Sequence, residues 1–198
     1  EPIAVEGTVG ELSGLRLKAV IDKRASRLWN GLIERYHYLG YTPLPGAQLR
    51  YLIDCDQGVL GAIGFGAAAW KVAARDRWIG WQREAREANL GRVLNNARFL
   101  LLPWVQVKNL ASKVLALAAK RLPEDFAARY GERVVLLETF VEIPRHQGTC
   151  YRAANWQWLG ETIGRGKLDR HHRAALPRKA VYVYPLAANF RAALGVGA

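Results

Sequence analysis

Between residues 95 and 160 the hydrophobic period of the chain changes from strand to helix and back, and that alternation constrains the fold more than any other feature. Residues 95–103 read NNARFLLLP, an apolar run of strand length closed by Pro103. Residues 107–122 switch to helical spacing, with Val107, Leu110, Val114, Leu117 and Ala118 on one face and Lys113 and Lys120 on the other. Residues 134–141 return to a strand pattern, carried by Leu136, Leu137, Thr139 and Phe140, and Pro144 stops it. A short helical pattern then covers 149–159, in which Tyr151, Ala154, Trp158 and Leu159 share a face and Gly160 supplies the C-cap. Strand, loop, helix, strand, helix predicts a right-handed crossover within a mixed sheet.

The flanks add antiparallel elements. Residues 49–54 and 59–65 are apolar runs joined by Asp56, Gln57 and Gly58, which reads as a β-hairpin. Gly61, Gly64 and Gly66 fall inside the second run and mark close packing or a bulge, since no helix and lysine follow them as a phosphate loop requires. Residues 67–81 fit both a continued strand and an apolar helix, and residues 83–92 are charged and exposed. A helix is expected over 28–39, with Leu28, Leu32, Tyr36 and Leu39 as its apolar stripe, Gly40 as its stop, and His37 and Tyr38 at its C-terminal end. Residues 180–186, AVYVYPL, alternate as a closing strand. The class that results is α+β, a mixed and mainly antiparallel sheet flanked by helices. Residues 1–14 are Gly-rich and read as an arm, 16–27 as a basic lead-in, and 28–198 as a single domain; a hydrophobic fraction of 51% is enough for one core.

Charge points to a partner. There are 29 Lys and Arg against 17 Asp and Glu, a net charge of +12, in a chain that holds seven Trp and is therefore globular rather than disordered. Part of the surplus is clustered at 164–179, GRGKLDRHHRAALPRK, directly after Trp156 and Trp158. Bases stack on indoles while phosphates meet Arg and Lys, so Asn155, Trp156, Arg165, Lys167, Arg170 and Arg173, with Arg145 and Arg98, form a candidate DNA-binding set. Arg98, inside an apolar strand, fits an edge residue facing solvent and an anion binder equally. Cys55 and Cys150 are far apart and form no paired motif, which fits a reduced, cytoplasmic protein without a disulfide framework. No run is long and apolar enough for a membrane span, and the absence of any Met suggests a trimmed chain or part of a longer protein.

Candidate chemistry gathers at His37, Glu138, Glu142 and Tyr151. An imidazole beside a carboxylate moves protons near neutral pH, and a phenol can protonate a leaving group or hold a base in place. The bland readings are a hydrogen-bonded helix end for His37 and a half-buried core phenol for Tyr151. No metal site is expected: His171 and His172 are adjacent, so one helix face cannot present both, and Glu138 and Glu142 lack a third acid.

Three motifs carry a resemblance. HYLGY at 37–41, NNARFLLLP at 95–103 and GTCYRAANWQWLGETIGRG at 148–166 resemble the Druantia A family of anti-phage defence proteins, a family without an established reaction that also occurs beside or fused to transposases. The family-marking positions matched are His37, Asn96, Arg98, Glu138, Gly148, Tyr151, Asn155 and Trp156. At the level of fold, the order of elements is similar to the acetyltransferase-like (GNAT) proteins, in particular the Mom-type DNA modification proteins. That likeness implies a cofactor pyrophosphate held before the long helix and casts Tyr151 as an acid. Here the loop is Trp104-Val105-Gln106-Val107-Lys108-Asn109, without the glycines that admit a pyrophosphate. This argues against an acetyl-CoA-type cofactor and leaves Lys108, Asn109 and Ser112 as a loop for some other anion, or Asn109 as a helix N-cap. The resemblance implies a DNA-acting protein of phage defence or a mobile element with a basic cleft over 145–173, with modification of a base, cutting of a strand and binding alone left open, partnered by further defence or transposase proteins or a fused domain. The alternatives are a non-catalytic DNA-binding accessory module, a GNAT-type acyltransferase acting on a small molecule, and a metal-dependent nuclease.

Overall fold

The computed structural model describes residues 4–162 and 177–197. In chain order its elements are β1 (Val5–Thr8), β2 (Arg16–Ala19), α1 (Lys23–Tyr36), β3 (Leu49–Cys55), β4 (Gly58–Ala67), α2 (Ala73–Ile79), α3 (Arg83–Asn89), β5 (Val93–Leu101), β6 (Val105–Lys108), α4 (Leu110–Tyr130), β7 (Leu136–Glu142), α5 (Thr149–Ala153), β8 (Gln157–Glu161), β9 (Lys179–Pro185) and α6 (Phe190–Ala193). Packing divides them into two compact units. The first comprises residues up to Ala67 with Asn96–Arg133, the second Ala68–Asn95 with the described residues from Val134 onward.

In the first unit the expected hairpin forms, β3 antiparallel to β4 from Leu49 opposite Phe65 to Cys55 opposite Gly58. β2 pairs antiparallel with β3, and β1 runs parallel to β6 with Val5 opposite Val105. Residues read as arm and lead-in therefore contain two strands. Both are four residues long and take their stability from partners far along the chain, Lys18 reaching Asp54 at 2.7 Å, so no local pattern announces them.

Helix α1 starts earlier than expected, because the Asp22 carboxylate accepts from the Ala25 amide at 2.8 Å and caps it. Its buried face is Trp29 and Ile33, whereas Leu28 and Leu39 are exposed. Trp29 decides the rotation: its ring is fully buried and Nε1 donates to the Ile63 carbonyl at 3.2 Å. Helix α4 runs through Pro123 to Tyr130, past the expected end at 122. Leu122 and Phe126 are buried on either side of the proline, so packing outweighs the lost backbone bond.

In the second unit the start of β5 pairs parallel with β7, Val93 opposite Leu136, as a strand-helix-strand connection requires. β7 pairs antiparallel with β9, and β9 with β8, which lies at the end of the order β5-β7-β9-β8. Ile79, Trp81, Val93, Val135, Leu136, Val183, Phe190 and Leu194 form its core. The segment 67–81 divides, β4 ending at Ala67 and helix α2 beginning at Ala73, and the charged stretch after it is mostly helix α3. The helix expected over 149–159 stops at Ala153. Asn155 takes a left-handed φ of 62°, and residues 157–161 pair with β9 as a strand in which Gly160 sits at a bulge rather than a C-cap. Mixed helices and a mainly antiparallel sheet make the fold α+β, as the sequence predicts. Among the described residues no helix is long and apolar enough to cross a membrane.

Candidate nucleic-acid interface

Successive side chains of a strand point to opposite faces, so β7 sorts its residues. Leu137, Thr139 and Val141 face one way, Glu138, Phe140 and Glu142 the other. Register carries the sorting across the unit: Thr139 and Trp158 both stand opposite Tyr182, and Leu137 stands opposite Tyr184. One face is therefore aromatic.

Helix α5 adds Tyr151 to that face. It begins at Gly148, where φ is 67° and a Cβ would stand 2.6 Å from Tyr182 Oη, so the close approach of the turn to the phenol needs glycine. Tyr151 stacks on Tyr182 with ring centroids 5.8 Å apart and meets Trp156 edge-on at 5.1 Å, while Trp156 packs against Tyr184 at 5.8 Å. Tyr151 Oη and Thr139 Oγ1 are 3.5 Å apart. Trp156 is buried, and its Nε1 has no hydrogen-bond acceptor among the described residues. Trp158, two residues on, is 58% exposed on the edge strand β8. Its indole is held on the same face as the packed aromatic cluster, yet exposed.

The opposite face is built around a buried ion pair. Arg75 and Glu138 are both fully buried, with Arg75 Nη1 2.6 Å from Glu138 Oε2. The remaining Glu138 oxygen accepts from the Ala69 amide at 2.8 Å, and Arg75 also donates to the Ala69 carbonyl at 2.8 Å and to Asp76 Oδ1 from Nε at 2.9 Å. Trp81 Nε1 donates to the same Asp76 oxygen at 3.1 Å. Burial pushes the Glu138 carboxyl above the usual carboxylate range, against the pull of the Arg75 guanidinium and the Ala69 amide. Both oxygens are committed to structure. The sequence reading does not single out Arg75, because its partner Glu138 is 63 residues away and Lys71, Asp76 and Arg77 read beside it as ordinary surface charges.

The expected meeting of Glu138, Glu142 and Tyr151 around one volume does not occur, because the pleat sets Tyr151, through Thr139, on the face away from both acids. Glu142 is half-buried and lies 3.3 Å from Arg145 Nε, three residues on. His37 belongs to the first unit, where it caps α1, accepts from the Leu39 amide on Nδ1 at 3.2 Å and stacks on Tyr38 at 4.9 Å. Arg98 lies in the first unit too, half-buried, donating to the Ala97 carbonyl and to Thr42 Oγ1, each at 2.8 Å. Burial lowers the affinity of its guanidinium for its proton. Asn96 holds the Gly64 carbonyl at 3.1 Å. Arg145 and Asn155 are exposed in the second unit. Arg165, Lys167, Arg170 and Arg173, like His171 and His172, lie outside the described residues. Among the described residues no three His, Cys, Asp or Glu side chains gather as metal ligands would.

In the loop before α4, Lys108 and Asn109 are exposed. Asn109 is the N-cap by position, but with φ at 64° its side chain makes no capping bond, and Ser112 Oγ donates to its carbonyl at 3.1 Å. Val105–Lys108 is strand β6, paired along its length with β1. The backbone here is an extended ribbon rather than a turn.

A protein-family model described as Druantia protein DruA matches residues 3–175. The Druantia protein DruA of Escherichia coli (strain UMEA 4076-1) is 29% identical over 127 residues, which cover 60% of this chain and 31% of that protein; the chain thus spans about a third of the length of the curated relative it matches. Among solved structures, the spermidine/spermine N-acetyltransferase SpeG from Vibrio cholerae superposes with a TM-score of 0.55 at 10% identity, over 89% of this chain and 95% of that one. An N-acetyltransferase from Staphylococcus aureus Mu50 superposes with a TM-score of 0.52 at 15% identity, over 88% and 100%. Identities this low speak for the fold alone, which is that of the GNAT acetyltransferases.

Proposed function

The chain belongs to the Druantia protein DruA family, and from that premise we propose that it is a nucleic-acid-binding part of an anti-phage defence protein, engaging DNA through the aromatic face of the second unit. The observation that carries this reading is Trp158, 58% exposed on an edge strand beside the Tyr151, Trp156, Tyr182 and Tyr184 cluster. The exposed indole adjoins a packed aromatic cluster on one face, and an aromatic ring accepts any base by stacking. Arg145, Arg152 and Arg178 are exposed in the same unit, and the chain segment that joins β8 to β9 carries Arg165, Lys167, Arg170 and Arg173. A net charge of +12 favours a polyanion over the small cationic substrate that a polyamine acetyltransferase takes.

The GNAT fold implies an acyl-coenzyme A donor, and the residues before α4 do not fit one. A pyrophosphate there needs free backbone amides in a glycine turn, whereas residues 104–109 contain no glycine and β6 spends its backbone on β1. Glu138 is committed to Arg75, and Tyr151 lies on the other face of the sheet, so these two do not act as acid and base at one point. Binding is the function the aromatic face supports, and modification or cleavage of the DNA would fall to the remainder of a full-length protein, a fused domain, or partner proteins.

Trp158→Ala tests the reading in a fluorescence-anisotropy titration against a labelled duplex with a single-stranded overhang, whose unpaired bases can stack on the indole. Loss of one stacked base weakens binding by about 1–3 kcal/mol, roughly ten-fold or more, with the melting temperature unchanged because the ring is exposed. Wild-type affinity in the variant would remove the aromatic face from the interface.

A further inference from the structure

Trp70 is a second exposed indole, 61% accessible, in the connection between β4 and α2. The loop that holds it is fixed on both sides. Its neighbour Ala69 is gripped at the amide by Glu138 and at the carbonyl by Arg75, each at 2.8 Å, and two residues beyond, the Val72 amide donates to Asp76 Oδ2 at 3.1 Å. The guanidinium of Arg86 lies 5.9 Å from the centre of the Trp70 ring. The Arg86 side chain is only 13% exposed, 3.6 Å from Asp76, and its Nε is shielded from water with no hydrogen-bond acceptor among the described residues. A rigid backbone thus presents an indole to solvent, beside a cation with a donor that nothing described meets.

Building on the nucleic-acid reading above, we propose that Trp70 and Arg86 form a separate stacking site for one unpaired base of a single strand. The base lies against the indole, whose ring centre lies 5.9 Å from the Arg86 guanidinium, and the exposed Lys71 next along the chain meets the backbone phosphate. The anchor of this loop is Glu138, on the face of the sheet opposite Trp158, so the two indoles serve different stretches of nucleic acid. A stacked pair in a duplex has no free face for Trp70, whereas an unpaired base has.

The test compares a labelled oligo-dT with a blunt duplex of mixed sequence, using the whole chain. Trp70→Ala binds oligo-dT roughly ten-fold more weakly and the duplex as well as wild type, while Trp70→Phe, which keeps a ring, stays close to wild type on both; matching circular dichroism melts confirm that the fold is intact. Wild-type affinity of Trp70→Ala for oligo-dT, or an equal loss on both probes, overturns the site. A wild-type protein that binds neither probe overturns the nucleic-acid reading itself, and the stacking site with it.

Discussion

Glu138→Ala unfolds at markedly lower urea than wild type, with about 3–5 kcal/mol of stability lost. The carboxylate is fully buried, and its removal leaves the equally buried Arg75 guanidinium with Asp76 and a carbonyl but without its shortest partner, 2.6 Å away. The same change strips the Ala69 amide of its acceptor. Glu138→Gln keeps an oxygen for Ala69 and most of the volume while discarding the charge, and falls between the two. For a chain of this size the alanine loss corresponds to a fall of roughly 10 °C in Tm. The measurement is the urea midpoint at unchanged slope. A proton-transfer role for Glu138 predicts the reverse pattern, a stable protein without activity, and a loss below about 1 kcal/mol would contradict the structural role.

Gly61→Ala produces the second large loss. A Cβ built at Gly61 stands 2.1 Å from the backbone oxygen of Leu100 and 3.1 Å from Leu101 Cα. Backbone cannot swing aside as a side chain does, so one methyl has to move a strand. The Leu102 amide, which donates to the Leu60 carbonyl at 2.9 Å beside it, would be displaced as well. The cost is about 3 kcal/mol or more, at the upper end for overpacking, and is read as a lowered melting temperature or loss of soluble protein. A Gly61→Ala protein with the wild-type melting temperature would mean that the strands are not this close.

These two positions also show where sequence could and could not lead. The glycines of β4 were legible as close packing because an interior glycine has little other reason to be there, and the hairpin around them because Asp56-Gln57-Gly58 punctuates two strand-like runs. Glu138 was legible as an unusual residue, but its role was not, since Arg75 and Ala69 reach it from a segment whose pattern fitted helix and strand alike. The aromatic stretch misled for a local reason. Tyr151, Ala154 and Trp158 fall at helical spacing, but Asn155 in a left-handed conformation ends the helix, and the pleat of β8 then turns Trp158 outward. Strands β1 and β2 were missed because four residues paired at long range leave no period to detect.

The most direct test is a binding titration of the whole chain against a labelled duplex between 50 and 200 mM salt. Neutralising about six phosphates would give a log-log slope of about −5 and an affinity that falls roughly a thousand-fold across that range. Absence of binding at 50 mM salt, or an affinity indifferent to salt, would contradict the assignment of the second unit to nucleic acid.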